Sequence, residues 1–172
     1  MEHVSQLEWE DSNYVTATYV GPPLTDSELQ IVEEELGYKL PSEYIELARS
    51  HNGGVPRKRA HRSQTPTCWA ADHIEIYGIF AIGHEPATSL CGTAGSKFWI
   101  THWKYPAIGV YFTDCPSAGH DMVCLDYTQV GPNGEPRVVH VDQEADYKIT
   151  PIANTFGAFV RGLQLEDDFL VP

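Results

Sequence analysis

Two histidines and two aspartates sit where a metal-ligand or general-base cluster would need them. His140 and Asp142 lie two apart at the end of RVVHV, a run at 137–141 that reads as a strand, so both side chains project from one face. His120-Asp121, in a Gly-rich connection, would supply further ligands for a metal-dependent hydrolase. No H-E-x-x-H helix and no third positioned histidine closes the set, so the reading as satisfied surface or edge-strand residues takes precedence. GTAGSK at 92–97 lacks the spacing and ending of a phosphate-binding loop and reads as a turn, and the chain has no G-x-S-x-G elbow. Cys68, Cys91, Cys115 and Cys124 form no C-x-x-C pair and suit reduced thiols better than a disulfide framework or a zinc site. The expectation is no catalytic residue, no metal and no cofactor.

The surplus of carboxylates fits a different chemistry. With 24 Asp and Glu against 11 Lys and Arg, the formal net charge is -13. Such a chain repels phosphate backbones and anionic lipid heads and attracts cationic proteins, so neither nucleic acid nor a membrane is the expected partner. Acidity also serves solubility alone. Four of the basic residues, Arg57, Lys58, Arg59 and Arg62, fall in one short stretch, while the last third of the chain is strongly acidic. Trp69, Trp99, Trp103, Tyr105 and Tyr111 would suit an interface platform, although core packing accounts for them as well. The opening residues lack a signal-peptide pattern and no apolar run approaches bilayer length, which points to the cytoplasm.

These residues must be carried by helices and a sheet. LTDSELQIVEEEL at 24–36 carries a helix start, with Thr25 as N-cap, Glu28 as its capping-box partner and Gly37 as the stop. Leu29, Val32 and Leu36 mark its buried stripe. A second helix opens at Pro41, buries Tyr44, Leu47 and Ala48, and ends at Asn52-Gly53-Gly54. The basic segment 55–72 reads as a long surface loop. Runs at 74–80, 98–103, 108–112, 122–127 and 137–141 read as strands, with Asn133-Gly134 pairing the last two antiparallel and the sheet covered on one side. A last helix, capped by Asn154, places Phe156, Phe159, Val160 and Leu163 on one stripe. The outcome is one α+β domain over 1–172: N-terminal helices, a central mostly antiparallel β-sheet and a C-terminal helix packed on it.

The ordered series LTDSELQIVEEELGYKLPSEYIELARSHNGGVP, IYGIF, YPAIGVYFTDCPSAGHDMVCLDY and GPNGEPRVVHVDQEADYKITPIANTFGAFVRGL resembles the SUKH superfamily over roughly residues 22–165. That family includes a yeast regulator of cell-wall synthesis and many bacterial immunity proteins. The resemblance implies a non-catalytic α+β domain that docks on a partner protein, in bacteria a cognate toxin, often a nuclease. Relatives usually have a shorter connection after the NGG turn, and Met122 and Val123 replace an aromatic common before CLDY.

Together these readings predict a cytoplasmic immunity protein that neutralises a basic toxin. Asp114, Asp121, Asp126, Asp142, Glu144 and Asp146 would offer carboxylates to toxin arginines and lysines. The alternatives are a regulatory or scaffold module binding host proteins and, third, a hydrolase built on His120, Asp121, His140 and Asp142.

Overall fold

The computed structural model describes residues 3–169. Three short helices come first. In α1 (Asn13–Tyr19) the Ser12 side chain caps by accepting from the Val15 N–H, and Val15 and Tyr19 face inward. In α2 (Asp26–Leu36) Thr25 caps by accepting from the Glu28 N–H, and Gly37 closes the helix in the left-handed region at φ 80°. Only half of the expected capping box forms, because the Glu28 carboxylate turns outward to His84. Val32 is buried, while Leu29 and Leu36 are partly covered. In α3 (Ser42–Ser50) Pro41 is the cap instead of the first helical residue, and Tyr44, Leu47 and Ala48 pack inward as expected.

The segment read as a surface loop is exposed over much of its length, including Arg57, Lys58 and Arg62, but it is anchored by inward-facing residues and contains a strand. Val55, Pro56, Ala60, His61 and Ser63 are buried, and β1 (Ala60–Arg62) pairs antiparallel with β2 (His73–Glu75). Loop 63–72 is the turn between them, closed by the Ser63 N–H donating to the Asp72 carbonyl at 2.8 Å. Only the start of the run 74–80 lies in a strand. Gly78 interrupts the rest, which lies along a sheet edge, with Tyr77 N–H donating to Asp114 O and Phe80 N–H to Phe112 O, both at 2.8 Å.

Residues 98–103, read as a strand, lie instead almost entirely in a helix, α4 (Ser96–His102). The aromatic and β-branched composition of FWITHW favours a strand, but tertiary contacts prevail. Trp99 and Trp103, one turn apart, bring their rings to 5.3 Å, and both pack partly covered against the core.

The main sheet has the order β3 (Gly109–Asp114), β4 (Asp121–Asp126), β5 (Arg137–Asp142) and β6 (Lys148–Ala153), antiparallel throughout. A bulge interrupts β3 between Tyr111 and Thr113. The β4–β5 pairing is the expected one, but its connection is longer than an Asn133-Gly134 turn and takes positive φ at Gly131. Strand β6 had no counterpart in the pattern reading; it carries Pro151, which suits an outer strand. Every residue of β4 is buried, so the sheet is covered on both faces, not one. Thr155, not Asn154, caps α5 (Phe156–Arg161), whose Phe156 and Phe159 pack on Phe112, with Tyr44 stacked on Phe156 at 4.5 Å.

The N-terminal helices are fastened at Asn52. Its Nδ2 donates to Pro22 O at 2.8 Å and Ile82 O at 3.1 Å, and its Oδ1 accepts from Ile82 N–H at 2.8 Å. Gly53 follows at φ 84°, where a Cβ would stand 2.3 Å from Tyr19 O. Asn52→Ala strands these buried groups and should lower the unfolding free energy by about 3 kcal/mol, read as a lower denaturant midpoint with an unchanged slope.

Candidate functional site

Alternation and register decide where the six candidate carboxylates point. Asp121 faces Asp142 across the β4–β5 ladder and His140 faces Val123, so Asp121, His140 and Asp142 share one face of the sheet. Asp126 faces Arg137 at the other end and belongs to the opposite face.

Four of the six are taken up internally. Asp114 accepts from Tyr19 O–H at 2.7 Å and from Gly78 N–H at 3.0 Å, joining α1 to the sheet edge. Burial pushes its carboxyl above the ordinary aspartate value despite those bonds. Asp121 is buried, and its Oδ2 lies 2.7 Å from Nε2 of the equally buried His140. Asp126 is buried and accepts from Thr128 N–H at 2.9 Å, Thr128 O–H at 2.7 Å and Arg137 Nε at 2.9 Å. Burial would raise the Asp126 carboxyl, but the Thr128 and Arg137 hydrogen bonds outweigh it and hold the group below its usual range. Asp142 is buried and accepts from Glu144 N–H at 3.0 Å, capping the 3₁₀ turn Gln143–Ala145.

Glu144 and Asp146 alone of the six are exposed. They stand on the 3₁₀ turn and its left-handed exit, where Asp146 takes φ 55°, between β5 and β6. His120 also comes to this turn, with Nδ1 at 2.6 Å from Glu144 Oε1. It therefore does not join Asp121, His140 and Asp142, and the four-residue hydrolase constellation does not assemble. Of the five aromatics, Tyr105 and Tyr111 are core residues, Trp99 and Trp103 are half-buried, and Trp69 is exposed, its Nε1 donating to Glu166 at 2.9 Å.

Loop 63–72 reaches the same end of the sheet. Lys148 Nζ on β6 donates to Pro66 O at 3.2 Å, and Cys68 brings its thiol to Asp121 and His140, with one donor atom of each within 4.8 Å of the others. Burial, followed by the Asp121 and Asp142 charges, pushes that thiol up to about 12. The pattern reading missed Cys68 here because no local spacing relates it to residues two strands downstream.

Residues 23–162 match the SMI1 / KNR4 family (SUKH-1). The chain belongs to this family. No curated protein matches it significantly. SUKH-1 domains serve in immunity and regulation, work through protein–protein contacts and are generally non-catalytic. No helix among the described residues of this SUKH-1 domain is long and apolar enough to cross a membrane.

Because the Asp126 carboxyl is held below its unfolded value near 4, the stabilisation it contributes is present above that pH and is lost as pH falls through the lower folded value. Asp126→Asn should cost about 1–3 kcal/mol at neutral pH. The deficit relative to the parent should shrink in acid, as checked by denaturant unfolding at several pH values.

Proposed function

We propose that this SUKH-1 domain is a non-catalytic binder of a cationic protein, and more narrowly an immunity protein that neutralises a cognate toxin of the basic, nuclease type in the cytoplasm. One observation carries the reading: in a chain of net charge -13, Glu144 and Asp146 project into solvent from a single tight turn, next to the exposed Ile149 of β6. Exposed carboxylates at a rim steer a cationic surface into place and set the association rate, while adjoining apolar area supplies desolvated contact. Nuclease domains are themselves basic because they grip phosphates, which makes them fitting partners for such a field. Asp114, Asp121, Asp126 and Asp142 are engaged within the fold and lie behind this contact.

A second reading, a regulatory or scaffold module that takes a peptide from a host protein, is favoured by a cleft of about 400 Å³ lined by Pro22, Pro23, Leu24, Ile82 and His84. It entails several partners of modest affinity, whereas an immunity protein forms one tight stoichiometric complex.

The test is co-expression with the product of the neighbouring gene, scored by co-purification and by rescue of growth. Reversing Glu144 and Asp146 to Lys should slow association about tenfold at low salt and flatten its salt dependence. Unchanged kinetics and salt response in the double variant would remove this turn from the interface.

A further inference from the structure

The end of the sheet beneath loop 63–72 gathers groups that the docking reading leaves unused. Asp121 and His140 are both more than nine-tenths buried, and each keeps an atom without a hydrogen-bond partner among the described residues: Oδ1 of Asp121 and Nδ1 of His140. A buried polar atom left in this way is costly, and native structures rarely carry two side by side. Around them stand the Asp142 carboxylate and the thiols of Cys68 and Cys115, both of which adjoin Asp121. No lysine or arginine among the described residues pairs with Asp121, whose one salt-bridge partner is His140.

We propose that Cys68, Asp121 and His140 form a binding site for a divalent transition-metal ion of the zinc class, which clamps loop 63–72 onto the end of β4 and β5. The donor set decides the ion. Thiolate with imidazole and a single carboxylate suits zinc, whereas calcium and magnesium require oxygen ligands throughout. The geometry agrees with it. Tetrahedral zinc ligands at ordinary bond lengths stand about 3.3–3.7 Å apart, and the three donor atoms already lie within 4.8 Å of one another. The remaining adjustment falls on Cys68, the one exposed member, which sits on a loop able to give, while Asp121 and His140 are held by adjacent strands. Binding fixes Cys68 as the thiolate and releases its proton to water. The fourth position is open to solvent or to Cys115, whose thiol is buried beside Asp121. This site is independent of the docking surface proposed above, although the ordered loop lies beside that surface.

The experiment uses the full chain, stripped with chelator, then dialysed against a small excess of Zn²⁺ or Co²⁺. The expected result is one metal ion per chain by elemental analysis, a raised melting temperature, protection of loop 63–72 from limited proteolysis and, with cobalt, a thiolate-to-metal charge-transfer band. Cys68→Ser, an exposed and conservative change that keeps the fold, should abolish the band and weaken zinc binding at least about tenfold. Cys91→Ser serves as the control for the second cluster, Glu35, His84 and Cys91, on the surface. Failure to retain zinc overturns the proposal. So does a cobalt band that survives Cys68→Ser, or one that Cys91→Ser removes.

Discussion

A central ladder covered on both faces must still accommodate ionisable side chains, and the rest of the structure follows from how it does so. Strands β4 and β5 are almost wholly buried, yet carry Asp121, Asp126, His140 and Asp142. A charge taken out of water is tolerated only with a partner and enough hydrogen bonds. Alternation along the strands separates the groups, sending Asp126 to one face with Arg137 and Asp121 to the other with His140. A slip of one residue would move each acid to the wrong face and break both pairs, so the polar groups fix the register as firmly as the apolar ones.

The sheet's two edges are treated differently, which bears on how a partner can approach. The β3 edge is covered by the segment at 76–80, itself held by the Asn52 corner and by Asp114. The β6 edge is interrupted by Pro151 and carries Lys148, both of which discourage another strand from adding there. Both edges therefore disfavour extension of the sheet by a partner strand, which agrees with the proposed docking through side chains and turns.

Elements with local signals were legible in the sequence. The caps at Thr25 and Gly37, the stripe of α3 and the alternation of β3 to β5 each reside in a few neighbouring residues. The α4 segment was not legible, since its composition favours a strand and only contacts such as Ser96 Oγ accepting from Tyr111 N–H decide otherwise. Strand β1 has only three residues, and β6, as long as its neighbours, carries Pro151 and pairs with a register shift; both exist because of the partners they find. The acids show the same limit more sharply: Asp126 and Asp146 look alike in a sequence, but one faces Arg137 in the core and the other faces water. The spacing of His140 and Asp142 correctly implied a shared face, while the approach of Cys68 depends on a long-range fold of the chain.

On the proposed docking mode, the acids that hold this SUKH-1 domain together and the acids that would meet a partner are different residues. The field of the net charge reaches over about 8–10 Å at ordinary ionic strength. Contact requires an exposed group in a fixed position, which the turn at Gln143–Ala145 provides because Asp142 caps it from within. The buried acids hold the scaffold, and in the proposed docking mode the exposed ones meet the partner. Exposed turn residues can change with little effect on stability, whereas Asp126 and Asp121 cannot. The fold of this chain therefore leaves its exposed turn free to change while the buried pairs stay fixed.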